Sequence, residues 1–93
     1  MKGISLYKVE GGKMLRLSLE HDGKRVCSVK IAGDFFMHPE ESISLLEHGL
    51  KGTPLDESSL QERASSIVRE NSIQLFGFAP ADLAKAVMRA VSK

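Results

Sequence analysis

Leu15, Leu17 and Leu19 alternate with Arg16, Ser18 and Glu20, a period of two that predicts a strand with one buried and one wet face. Cys27, Val29 and Ile31 repeat the pattern against Ser28 and Lys30. Between the two runs lies His21-Asp22-Gly23-Lys24. A two-residue Asp-Gly turn would pair Leu17 with Ser28 and set an apolar face beside a polar one. A three-residue loop, His21-Asp22-Gly23, pairs Leu17 with Cys27 and Leu15 with Val29. It also sets Glu20 opposite Lys24 and puts Gly23 where a positive φ is needed, so it is the expected connection. Ahead of it, Ser5 to Val9 reads as a further strand joined by a turn at Gly11-Gly12. The first third of the chain is thus expected to be a three-stranded antiparallel meander.

The remainder changes period. His38-Pro39-Glu40-Glu41 reads as a helix start, because proline suits the first helical position and acids favour the positive end of the dipole. Ile43, Leu46 and Leu50 then form one stripe, and Gly49, Gly52 and Thr53-Pro54 stop it. Asp56 can cap a second helix, with Ser59 and Glu62 as a rival capping box one turn later. The stripe of that helix is Leu60, Ala64, Ile67 and Val68, and Asn71 suits its end. Leu75-Phe76-Gly77-Phe78 reads as an apolar connector. Pro80 opens a last helix with the stripe Leu83, Ala84, Val87 and Val91.

One half-wet sheet and three single-striped helices make a two-layer α+β sandwich. The three helices cover the face bearing Leu15, Leu17, Val29 and Ile31. With 93 residues against about 150 for a typical domain, residues 1–93 are expected to be one unit.

Charge and composition remove several classes. Thirteen Lys and Arg face twelve Asp and Glu, a net charge of +1, which argues against a nucleic-acid partner. A hydrophobic share of 42% with 27% charged residues is that of a folded domain rather than a disordered tail. No run approaches the roughly 18 apolar residues of a membrane span, so no membrane partner is expected. A single cysteine permits no internal disulfide and fits a reducing, cytosolic compartment. So short a chain has no room for a deep substrate cleft of its own, which favours a binding module or one part of a larger machine.

Candidate chemistry is sparse. Cys27 could serve as a sulfur acceptor or nucleophile. Its place among inward-facing Val29 and Ile31 instead predicts a small core residue. His38 and His48 lie at opposite ends of a helix of about ten residues, about 15 Å apart, and cannot share a metal ion. His21 is expected as decoration of the hairpin turn. Glu40 and Glu41 point about 100° apart and read as dipole partners. Glu10-Gly11-Gly12-Lys13 lacks the spacing of a phosphate loop.

The segment Ile31-Ala32-Gly33-Asp34-Phe35-Phe36-Met37-His38-Pro39 differs. The inward alternation from Ile31 through Gly33 selects Phe35, which turns Phe36 outward. An exposed ring beside Met37 and His38 would be an adaptable contact surface. Asp34 can cap local amides, and Gly33 lets another backbone approach. The competing reading closes both rings into the core at the strand–helix corner.

Gly33-Asp34-Phe35-Phe36, preceded by Val29-Lys30-Ile31 and followed by Pro39-Glu40-Glu41, resembles the C-terminal accessory domain of lipoate–protein ligases. The order of elements, from meander to terminal helix after Gly77, is similar too, from about Met14 to Val91. The resemblance implies an α+β fold akin to small sulfur-acceptor and iron–sulfur scaffold proteins. It implies that lipoate and MgATP sit on a large catalytic subunit, and that none is bound by this chain alone. That subunit forms lipoyl-adenylate and passes the lipoyl group to a lysine of an acceptor domain. The small domain closes for the first step and swings away for the second. A chain that begins at Met1 and lacks the large domain resembles the separate small subunit of a heterodimer, with a trimmed piece of a longer ligase as the alternative. No catalytic residue carries over, and no activity is expected of the chain alone. Gly33, Asp34, Phe35, Phe36 and His38 are the residues expected to face the catalytic subunit. A sulfur-transfer protein using Cys27, or an adaptor unrelated to lipoate, is the alternative.

Overall fold

The computed structural model describes residues 1–9, 11 and 13–91. Three strands form an antiparallel sheet in chain order: β1 (Lys2–Lys8), β2 (Met14–His21) and β3 (Val26–Gly33). Strand β4 (Phe36–His38) leads to helices α1 (Ser42–Gly49) and α2 (Glu57–Glu70). Strand β5 (Gln74–Phe76) returns to pair with β4 in a second, two-stranded sheet, and α3 (Pro80–Val91) follows. The α+β order and the three-stranded meander agree with the sequence pattern, although β1 begins three residues earlier than expected. Gly11 adopts φ 102°, as a turn requires; Gly12 lies outside the described residues.

The core lies between the meander and the helices. Leu15, Leu17 and Leu19 of β2 face it together with Val29 and Ile31. Helix α3 lies across β1 and β2, α1 lies against β3, and α2 leans on the other two helices. Leu46, Leu50, Leu60 and Leu83 are at most 1% exposed. Each contributes about 2 kcal/mol of apolar burial. Small residues let α3 sit close to β1. The Ser5 hydroxyl donates to the Ala86 carbonyl at 2.8 Å. A Cβ on Gly3 would run into the carbonyl oxygen of Ala90.

The β2–β3 hairpin departs from the expected register. Leu17 pairs with Ile31, Leu19 with Val29, and Leu15 with Gly33, not with Cys27 and Val29. The cause is local turn chemistry. The Asp22 carboxylate accepts from the amides of Lys24 and Arg25, both at 2.8 Å, so the turn runs over residues 22–25. Glu20 pairs with Ser28 and His21 with Val26, which leaves Cys27 as an extra, bulged residue. Val26 therefore takes the inward position, and Cys27 is exposed rather than core. His21 is buried at the end of β2, not turn decoration; its Nδ1 accepts from the Gly23 amide at 3.0 Å. Gly23, at φ 93°, has the positive φ expected of it.

The Arg25 and Lys24 amides hold the Asp22 carboxyl below its ordinary value of 3.8. A depressed folded value means that the turn's contribution to stability is present above about pH 4 and is lost as pH falls through that value. NMR titration of Asp22 should give a midpoint below 3.8, and Asp22→Asn should flatten the acid limb of the stability curve. A midpoint at or above the ordinary value would contradict the turn.

Helix α1 starts later than the sequence suggested. Pro39, Glu40 and Glu41 form a turn, with the amides of Ser42, Ile43 and Ser44 donating to their carbonyls, and the helix begins at Ser42. It is eight residues long, and neither Glu40 nor Glu41 is in its first turn. At α2, Asp56 prevails over the Ser59/Glu62 box: its carboxylate accepts from the Ser59 amide at 2.7 Å and from the Ser59 hydroxyl at 2.9 Å. Asn71 ends α2 and Pro80 opens α3, both as expected.

Candidate functional site

All four phenylalanines of the chain meet at one corner, where β3 gives way to β4. Gly33 makes the corner possible. It sits at φ 149°, and a Cβ there would run into the carbonyl oxygen of Met14. The next amide, that of Asp34, donates to the same oxygen at 3.1 Å. The end of β3 is thereby pinned to the start of β2 by close backbone contact. It is the Asp34 amide, rather than its carboxylate, that this bond uses.

From that fixed point the chain sorts the aromatic rings. Phe35 is half-buried and meets Phe78 edge to face, with centroids 4.8 Å apart. Such a pair adds roughly 1 kcal/mol beyond its area. Gly77 supplies the positive φ, 103°, with which the chain leaves β5 for Phe78. In the β4–β5 sheet, Phe36 is paired with Phe76, Met37 with Leu75, and His38 with Gln74. The pleat puts Met37 and Leu75 toward the core, and Phe36, Phe76, His38 and Gln74 toward solvent.

Phe36 is 71% exposed and Phe76 53% exposed. The cross-strand pairing thus sets two large rings next to each other on the solvent side. A shallow hollow between them is bounded by His38 and Glu40. Of the residues singled out in the sequence, Phe36 and His38 thus share an outward surface. Gly33, Asp34 and Phe35 shape the corner behind it. Met37, expected beside the exposed ring, is instead buried. Phe76 was missed. Leu75-Phe76-Gly77-Phe78 read as a connector because a three-residue strand is too short to show a period. The clustering of the phenylalanines at 35–36 and 76–78 was the available signal.

Cys27 lies on the β2–β3 bulge, in the other sheet. No three of the described His, Cys, Asp and Glu residues come together as metal ligands. Among the described residues no helix is long and apolar enough to cross a membrane.

The fold thus defines a small α+β domain with an exposed aromatic corner. Comparison with known proteins gives its family. Residues 8–86 match the model of the bacterial lipoate protein ligase C-terminus, and the chain belongs to that family. It is 38% identical over 64 residues to lipoate-protein ligase A subunit 2 of Thermoplasma acidophilum, an alignment spanning 69% of this chain but 61% of that protein. A solved structure of an archaeal lipoylation system from the same organism comprises a bipartite lipoate protein ligase and its E2 lipoyl domain. One of its chains superposes with a TM-score of 0.80 at 29% identity, covering 94% of both chains.

Proposed function

We propose that this chain is the non-catalytic accessory subunit of a two-part lipoate–protein ligase. It pairs with a large catalytic subunit that holds lipoate and MgATP, and it is required for the formation of lipoyl-AMP. The lipoyl group then passes to a lysine of an acceptor domain. The observation that carries this reading is the likeness over 94% of both chains to part of a bipartite ligase system. The sequence relative named as a second subunit supports it. The chain's unpaired cysteine suits a cytosolic setting.

In this reading Phe36, with Phe76 and His38 beside it, contacts the catalytic subunit, and Gly33, Asp34 and Phe35 hold that contact in place. The chain supplies no group to the reaction. Adenylation requires the lipoate carboxylate to attack the α-phosphorus of ATP and expel pyrophosphate, and water is the competing nucleophile. A rigid module docked beside that site orders the surrounding loops and excludes water. Mixing the purified chain with the catalytic subunit, lipoate and MgATP should raise pyrophosphate release at least about tenfold over the catalytic subunit alone, a step of about 1.4 kcal/mol in barrier. No gain would remove the proposal.

A further inference from the structure

The two edges of the meander are not alike. Strand β3 is covered near both ends of its free edge. The Val26 amide donates to the Thr53 carbonyl at 3.0 Å, and the Gly52 amide donates to the Val26 carbonyl at 2.8 Å. Further along, the Glu47 carboxylate of α1 accepts from the Ile31 amide at 2.9 Å. Strand β1 has no such cover. Its bonds to β2 are fixed at both ends. The Met1 amino group donates to the His21 carbonyl and the His21 amide to the Met1 carbonyl, both at 2.8 Å. The Val9 amide donates to the Lys13 carbonyl at 2.7 Å. Alternation between these pairs turns the backbone groups of Gly3, Ser5 and Tyr7 toward β2 and those of Lys2, Ile4, Leu6 and Lys8 outward. No turn, loop or side chain among the described residues bonds to those outward groups.

Open edges are commonly shortened, bulged or broken by proline. Strand β1 runs seven residues in unbroken register with β2, without proline. At its middle Ile4 is 63% exposed and Leu6 53%. Helix α3 covers the inner face of β1 through the Ser5 hydroxyl and leaves the edge free. A row of unpaired amides and carbonyls is satisfied by one kind of neighbour, another extended strand.

A second copy of β1 supplies that strand. Placed antiparallel about a two-fold axis at Ser5, Ile4 falls opposite Leu6 of the other copy, and Leu6 opposite its Ile4. The axis stands normal to the sheet, so both helical layers stay on one side and four aliphatic side chains gather on the other. The same register sets Lys2 opposite Lys8 of the other copy, twice, and like charges so placed repel. The open side of each copy carries Lys2, Lys8, Arg16 and Lys30 against Glu20 and Asp34. Salt screens that repulsion, so the contact strengthens with ionic strength. A heterologous strand of opposite charge would have the reverse salt dependence.

We propose that the chain forms a two-fold dimer through β1, joining two three-stranded meanders into one continuous antiparallel sheet. The edges left over are the covered ones of β3, so assembly stops at two. The phenylalanine corner lies in the other sheet and remains a separate surface. The inference goes beyond the accessory-subunit reading and does not depend on it.

The test uses the purified chain alone. Sedimentation should show a monomer–dimer equilibrium that shifts toward dimer as salt is added. Leu6→Pro removes one outward amide and spares the bonds to β2, a substitution that edge positions accept. It should keep the circular dichroism of the native chain and stay monomeric at about 1 mM. Lys8→Glu, at an exposed position, turns both like-charge oppositions into attractive ones. It should tighten the dimer about tenfold at low salt and reverse the salt dependence, and it decides the matter if Leu6→Pro does not fold. A native chain that stays monomeric at about 1 mM in high salt overturns the proposal. So does a folded Leu6→Pro dimer, a dimer indifferent to Lys8→Glu, or one lost in Phe36→Ala, which would place the contact at the corner. Amide exchange locates the edge. Protection of Ile4 and Leu6 should rise at least about tenfold with concentration, while Ser5 and Tyr7 stay slow throughout. Free exchange at Ile4 and Leu6 at every concentration overturns the dimer, as does protection gained only on adding the catalytic subunit. None of these readings involves adenylate formation, so the accessory role stands or falls separately.

Discussion

Replacing Gly33 by alanine should lower stability by about 3 kcal/mol, out of the 5–15 kcal/mol that a domain of this size commonly has. Two costs combine. At φ 149° an L side chain is strained. The added Cβ would also meet the Met14 carbonyl oxygen and crowd Leu15 Cα, which are backbone atoms and cannot rotate away. Relief requires parting the end of β3 from β2, which stretches the Asp34 amide bond to Met14. Denaturant unfolding reads the loss, and thermal unfolding should fall by roughly 15 °C at 4–8 °C per kcal/mol. The damage should also reach function, because the corner beyond Gly33 aims Phe36. Stimulation of adenylate formation should drop more than the unfolded fraction accounts for. Gly11→Ala is the control: its φ is also positive, but a Cβ there meets nothing within 4 Å. Equal losses at the two glycines would mean that strain alone, and not the backbone approach at Met14, makes Gly33 necessary.

Long periods were legible in the sequence and short ones were not. Leu15-Leu17-Leu19 and the stripe of α2 span enough residues to state their period; the structure buries them as expected, apart from Val68, which is only partly buried. Residues 22–25 decided the hairpin register through side-chain bonds from Asp22, a competition that alternation alone does not express. One bulged residue then turned Cys27 outward while Val29 and Ile31 kept their places. At the site, alternation correctly sent Phe35 inward and Phe36 outward. The clustering of the phenylalanines pointed toward Phe76, but its position depends on a strand pairing across 40 residues of chain that bears on no local pattern.

Removing the outer rings should separate binding from folding. Phe36→Ala and Phe76→Ala should each weaken association with the catalytic subunit by about 1–3 kcal/mol, the range of an aromatic anchor. The double variant should bind about 100-fold more weakly or worse. Stability should change by less than about 1 kcal/mol, because an exposed cross-strand aromatic pair contributes little to the fold. The two rings touch the same partner surface, so their losses should not add, and a double-mutant cycle should return a coupling of about 0.5–1.5 kcal/mol. Phe35→Ala is the contrast. Its ring is half-buried against Phe78 with a centroid distance of 4.8 Å, so it should unfold the domain earlier by about 3 kcal/mol. Calorimetric titration gives the affinities and denaturant melts the stabilities. If the outer variants bind as tightly as the native chain, the partner sits elsewhere, and two exposed phenylalanines on this corner are left without a physical reason. If they bind weakly and still fold, the β4–β5 sheet is a platform whose inner side serves the core and whose outer side serves the complex. That division explains why so short a sheet is built from residues 40 positions apart. Pairing β4 with β5 sets Phe76 beside Phe36, and in that outcome the two rings act as one anchor.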